Sequence, residues 1–266
     1  MRGLVALVAA SAMLMGCGGG DTSPSRQSEA TGTGQTPTET SEATTDPDTV
    51  QLLYISDSSG WVTADAYRTL AEAELGVPVE LVDWRQPNLS MGDALERVRS
   101  QPEIVADAEI VVLWGNPLGV GVKEGHERCV LSAPPADPGM YTEQDWAPFA
   151  DTTAQVLEAV WAARESRPTV LRVTDLYAAT SAAWEDAGVW DACMTSMETM
   201  SNALRATAES HGATFVSALD VYNGPDHRQD PDAAGLLSGG IHPGQAGGKA
   251  MAEALAATGF EPTPGP

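Results

Sequence analysis

Three short stretches of the 266-residue chain carry side chains that could do chemistry together, and each lies where an apolar run meets a turn. Ser56-Asp57-Ser58-Ser59-Gly60 follows the run Val50–Ile55, and Gly115-Asn116-Pro117 follows Ala108–Trp114. Gly239-Gly240-Ile241-His242-Pro243 precedes the amphipathic stretch Met251–Leu255. A serine hydroxyl with a histidine beside it is the minimum set for attack on an ester carbonyl, the imidazole taking the hydroxyl proton. The oxyanion that develops needs donors, and the Ser58 N–H and the Asn116 side-chain amide could supply them. Ser, Asp and Gly also build ordinary turns and helix caps, and a histidine before proline can simply enter a helix. Residue types alone leave both readings open.

The elements that would position these residues are legible in the hydrophobic pattern. Val50–Ile55 reads as a buried strand. After Gly60, the residues Trp61, Ala64, Tyr67, Leu70, Ala71 and Leu75 fall at helical spacing on one face. Val77–Val82 reads as a second strand, followed by a polar loop through Asn88 and a short helix over about Ser90–Arg99. Ala108–Trp114 is apolar nearly throughout, as a central parallel strand covered on both faces would be. Pro117–Trp146 is rich in Gly and Pro and is expected to form a long loop over the sheet, pinned by Cys129.

Val156, Leu157, Val160 and Trp161 mark the buried face of a long helix that stops before Pro168. Thr169–Thr174 reads as strand four. A helix over about Met194–Ser210 ends at Gly212, a residue suited to the left-handed position after a helix. Thr214–Ser217 reads as strand five, and a last helix spans about Pro243–Ala257. Strands alternating with helices predict an α/β fold over residues 49–262. The expected architecture is a three-layer open parallel sheet of about five strands with helices on both faces. Ligands of such sheets bind beyond the carboxyl ends of the strands, where Ser58 and Asn116 would stand.

The N-terminus carries Met1-Arg2, an apolar run Leu4–Met15 of roughly a dozen residues, and Leu14-Met15-Gly16-Cys17. The run is too short to span a bilayer and suits a signal peptide. The last four residues resemble a bacterial lipobox, which implies lipidation of Cys17 and a membrane tether at residues 1–17. Residues 18–48 are Gly, Ser, Thr, Pro, Glu and Asp with almost no apolar side chain, so they are expected to remain a disordered spacer. The chain is thus expected to be exported, at the outer face of the cell membrane or in the cell envelope. Without Cys17 two cysteines remain, Cys129 and Cys193, and in an exported protein they are expected to form a disulfide. No Cys/His cluster has zinc spacing, so no metal is expected. A net charge of −23 argues against nucleic acid and against anionic lipid headgroups as electrostatic partners.

The three chemical stretches, in their order and residue types, resemble the blocks of the SGNH, or GDSL-type, hydrolases, a family of esterases, lipases and carbohydrate deacylases. Ser58 stands in the block that usually reads Gly-Asp-Ser, with Ser56 in place of the glycine. Asn116 stands in the block usually Gly-x-Asn-Asp, with Pro117 in place of the last aspartate. His242 stands in the block usually Asp-x-x-His-Pro, with Gly239 in place of the aspartate. Asn223-Gly224-Pro225-Asp226, Asp230-Pro231 and Gly235-Leu236-Leu237 also resemble exported bacterial members, and the likeness covers nearly all of residues 49–261. It implies a flavodoxin-like sheet and an ester hydrolase with no cofactor. Ser58 would be the nucleophile and His242 the base. Ser58, Asn116 and a residue of the Asn88–Gly92 loop, either Asn88 or Gly92, would form the oxyanion hole.

Asp226, Asp230 or Asp232 could replace the missing orienting acid, or a backbone carbonyl could. The alternative is a binding lipoprotein of this fold that has lost hydrolysis. The expected partners are an ester of a lipid, a glycan or a small molecule, and a membrane through Cys17; the protein is expected to act as a monomer. His126, His211 and His227 are expected at the surface, and Met194, Met197 and Met200 in the core. A nucleotide-binding protein of similar topology is disfavoured, because Gly119–Gly125 lacks a Gly-Lys-Ser/Thr ending.

Overall fold

A computed structural model describes residues 49–118, 120, 129 and 142–266. The expected signal segment with Cys17, the spacer, His126 and most of the Gly/Pro-rich stretch after Leu118 lie outside the described residues. Strands β1 (Val50–Ser56), β2 (Val79–Arg85), β3 (Ile110–Trp114), β4 (Val170–Thr174) and β5 (Thr214–Val216) form one sheet in the order β2-β1-β3-β4-β5. Every pairing is parallel, which is the flavodoxin-like order. β3 and β4 are buried along their whole length, as strands covered on both faces must be.

Helices α1 (Thr63–Leu75), α2 (Met91–Ser100), α3 (Pro102–Asp107), α4 (Glu143–Ala163), α5 (Ser181–Asp186), α6 (Trp190–Ser210), α7 (Ala218–Asn223) and α8 (Gln245–Ala256) complete the described elements with a hairpin of β6 (Leu237–Ser238) and β7 (His242–Pro243). The crossover from β1 to β2 runs toward one edge and the return to β3 runs the other way. Right-handed crossovers therefore place α1 and α2 on opposite faces. α1 packs on α8, and α4 packs on both α2 and α6.

Several boundaries differ from the sequence reading. β2 begins at Val79, because Pro78 has no N–H to give the ladder and uses its carbonyl to accept from Val50 N–H at 3.0 Å. Trp61 lies outside α1 and is 47% exposed rather than part of its buried face. The expected loop ends at Thr142, where a reciprocal cap with Asp145 starts α4 and draws Trp146 into the core. Pro243 belongs to β7, and α8 starts two residues later. The hairpin and the short helices α3, α5 and α7 have too few residues to show a period. Cys129 and Cys193 form a disulfide that ties residue 129 to α6 across 64 residues of sequence.

The first turn of α7 is closed by Asp175, which leaves β4 fully buried. Its carboxylate accepts from the Ser217 and Ser201 hydroxyls and from the N–H groups of Ala218 and Leu219. Burial pushes its pKa up to about 6, against the pull of these donors. The unfolded carboxyl titrates near 3.9, so the folded state holds the proton more tightly. The resulting stabilisation is complete below about pH 4 and is lost as pH rises through about 6. Asp175→Asn keeps the shape, and the two hydroxyls can turn to accept from its amide. We expect thermal unfolding of the native protein to lose stability relative to Asp175→Asn between about pH 4 and 6.

Candidate active site

Register brings the first two chemical stretches together. Ser56 pairs with Trp114 across β1 and β3, so Asp57 and Asn116 leave the sheet side by side. A single 3₁₀ turn, Ser58–Gly60, follows, and Asp57 caps it by accepting from Ser59 N–H at 2.8 Å. Gly60 is required for contact reasons, since a Cβ there would stand 2.1 Å from the Ser56 hydroxyl. The second oxygen of Asp57 accepts from the Asn116 side-chain amide at 3.1 Å. Burial pushes the Asp57 carboxyl up, opposed by the bonds from Ser59 and Asn116 and by the nearby His242.

Asn116 is fixed at each polar group. Its N–H donates to the Leu89 carbonyl at 3.2 Å and its carbonyl accepts from Met91 N–H at 3.0 Å. Its side-chain oxygen accepts from Leu118 N–H at 3.0 Å. One of the two amide hydrogens serves Asp57, which leaves the other for a further acceptor.

His242 arrives from the opposite end of the chain. The β6–β7 pairing sets Ser238 opposite His242. The turn between them uses Gly239 at φ 73° and Gly240 at φ 90°, a left-handed conformation that glycine adopts without steric cost. Tyr177, just after β4, donates its hydroxyl to the Ile241 carbonyl at 2.6 Å and so pins the residue before His242. Tyr177 is itself held by stacking on Tyr222, with ring centroids 4.3 Å apart. The His242 ring is exposed and lies near-parallel to Trp61 at a centroid distance of 6.4 Å.

Asp57, Ser58, Asn88, Tyr177, Ile241 and His242 line one cavity of about 150 Å³ at the carboxyl ends of the strands. Asn116 adjoins this lining through the bond its side-chain amide donates to Asp57. Asn88 holds a left-handed backbone, φ 58°, at the cavity edge, while Gly92 lies within α2 and is not among the residues lining it.

The proposed replacement acids do not reach this place. Asp226 caps a local turn through Arg228 N–H and borders a separate depression beside Trp190. Asp230 accepts from Asp232 N–H in another turn, and neither residue lines the cavity. Among the described residues no carboxylate lies within 4.0 Å of the His242 ring nitrogens. His227 is half-buried between Glu198 and Asp220, and His211 bonds the Thr207 carbonyl. Met194, Met197 and Met200 are core residues. Among the described residues no three His, Cys, Asp or Glu side chains converge as a metal set.

Two contributors were weak in the sequence. Tyr177 gave no motif beyond its position after strand four, and the link through Asp57 needed the β1–β3 register.

No protein-family model matches the sequence, and no curated protein sequence matches it. Solved structures do match. A lipase from a goat rumen metagenome is 16% identical, with a TM-score of 0.59 over 80% of this chain and 98% of that one. An extracellular lipase from Streptomyces rimosus is 15% identical, with a TM-score of 0.55 over 78% of this chain and 99% of that one. A protein described as a GDSL-like lipase from Parabacteroides merdae is 13% identical, with a TM-score of 0.52 over 80% and 96%. At these identities the likeness establishes the fold: a five-stranded parallel sheet with helices, as in GDSL-type lipases and esterases.

The glycine at 239 follows from the hairpin turn, where a side chain must adopt a strained left-handed backbone. Gly239→Asp is therefore expected to lower the unfolding free energy by about 1 kcal/mol. Denaturant titration measures this, and a gain in stability would show that the new carboxylate had found a partner.

Proposed function

We propose that this protein is an exported, lipid-anchored serine hydrolase that cleaves an ester. The observation carrying this reading is the common cavity of Ser58 and His242 beside an asparagine amide fixed by Asp57. The GDSL-type fold supports it, since the serine and histidine occupy strand-end positions where that fold can host hydrolysis. The Leu14–Cys17 segment supports export and anchoring.

In the proposed reaction the Ser58 oxygen attacks the carbonyl carbon while His242 takes the hydroxyl proton. The Ser58 N–H, Asn88 and the spare Asn116 hydrogen stabilise the oxyanion. His242 returns its proton to the leaving oxygen, the carbon–alkoxy bond breaks, and an acyl-serine remains. Water, deprotonated by His242, then releases the acid and restores Ser58.

Among the described residues no carboxylate orients His242, and its position is set by packing, with Tyr177 holding the Ile241 carbonyl and Trp61 lying near-parallel to the ring. Asp57 lies close enough to His242 for the two side chains to interact electrostatically. Where a serine protease loses the function of its orienting acid, turnover falls about 10⁴-fold. Modest turnover is therefore expected. Gly239 also motivates the second reading, a binding lipoprotein of this fold with a silent site.

A fluorophosphonate probe separates the two, because it needs an activated serine. Labelling that disappears in Ser58→Ala is expected, and absence of labelling on the native protein would overturn the hydrolase reading. Asn116→Ala is expected to reduce kcat by about 10²-fold to 10³-fold, the typical cost of one oxyanion donor. Cys17→Ala is expected to move the protein from the membrane fraction to the soluble fraction of fractionated cells.

A further inference from the structure

The cavity sorts the two halves of an ester by exposure. Its inner walls are Leu176, Tyr177 and Ala179, which are 3%, 5% and 8% exposed, and these are mainly apolar surfaces. Its outer rim carries the exposed His242 with Ile241, 40% exposed, and Trp61, 47% exposed, lies against the His242 ring. Trp61 and Ile241 are the large hydrophobic side chains that the described surface leaves to solvent. Resting on the hydrolase reading above, the chemistry orients the substrate in this gradient. His242 must reach the leaving oxygen, so the alcohol half lies at the rim, and the acyl half points away from it into the recess.

The recess also sets a size. An apolar cavity of about 150 Å³ accepts benzene; the whole cavity here, with Ser58, Asn88 and the His242 rim included, has about 150 Å³, so the acyl recess within it is no larger than that. We infer that the site is selective for esters of short acyl groups, from acetyl to about six carbons, on an alcohol that presents an apolar or planar face to Trp61 and Ile241. Leu176 and Ala179 are the specificity-determining residues, since they bound the inner end without touching the reacting atoms in the role of nucleophile or base. Longer acyl chains would have to displace buried walls at the close of β4, where the core is densely packed. The bond changes are those of ester hydrolysis: the ester carbon exchanges its alkoxy oxygen for the Ser58 oxygen and then for that of water.

The test is kcat/KM of the full chain on p-nitrophenyl acetate, butanoate, hexanoate and decanoate. Each methylene that fits should raise the value by about 4-fold, with the maximum at four to six carbons and decanoate at least ~100-fold below it, near the upper end of pocket discrimination. Ala179→Leu fills the recess and should lower the hexanoate-to-acetate ratio by about 10-fold or more. Leu176→Ala should raise the decanoate-to-butanoate ratio, and Leu176→Val replaces it if the larger truncation unfolds the protein. Equal rates from acetate to decanoate, or an acyl profile unchanged in both the Ala179 and the Leu176 variants, would overturn the inference while leaving the hydrolase intact. No hydrolysis of any ester together with no Ser58-dependent fluorophosphonate labelling would overturn the hydrolase reading, and the selectivity with it.

Discussion

The hydrogen bond between the Asp57 carboxylate and the Asn116 amide ties together the ends of the two central strands. On one side Asp57 caps the turn that displays Ser58, and on the other it fixes the amide plane of Asn116. A buried carboxylate is costly unless its oxygens are satisfied, and here one accepts from Ser59 and the other from Asn116. The same bonds that offset its burial therefore set the geometry of the candidate nucleophile and its oxyanion donor. Asp57 also lies near His242, whose own hairpin carries no acidic side chain.

His242 is positioned by a different logic. Its β6–β7 hairpin closes through two glycines with positive φ, a turn that disfavours the aspartate the GDSL-type block would place at 239. Packing takes over part of the orienting task. Tyr177 grips the Ile241 carbonyl, Tyr222 backs Tyr177, and Trp61 lies near-parallel to the imidazole at a centroid distance of 6.4 Å. Gly247 and Gly248 let α8 press against Leu236, Tyr222 and Val62, which holds the hairpin close to the end of β1. Each of these contacts joins elements far apart in sequence.

Periodicity and punctuation alone determined much of the protein. The apolar runs of β1, β3 and β4 and the spaced apolar residues of α4 and α6 forecast the alternating α/β order, because burial on both sheet faces demands such runs. The positions of Ser58, Asn116 and His242 at strand and helix ends were legible for the same reason, as was the pairing of Cys129 with Cys193. The limits of β2, the start of α4 and the hairpin were not. Proline chemistry, a local cap and a two-residue ladder decided those within a few residues, below the length at which a period can be seen.

Tertiary structure alone decided how the site is furnished. No sequence spacing relates Asp57 to Asn116, Tyr177 to Ile241 or Trp61 to His242. Those contacts exist because parallel strands meet in a particular register and because the last hairpin folds back over the sheet edge. Local turns, with Asp226 accepting from Arg228 N–H and Asp230 from Asp232 N–H, keep Asp226, Asp230 and Asp232 out of the cavity lining, although all three precede His242 in the same stretch of chain. A one-dimensional pattern records which residues want burial. It cannot record which buried or exposed partner each will face, since that depends on how distant segments are brought together.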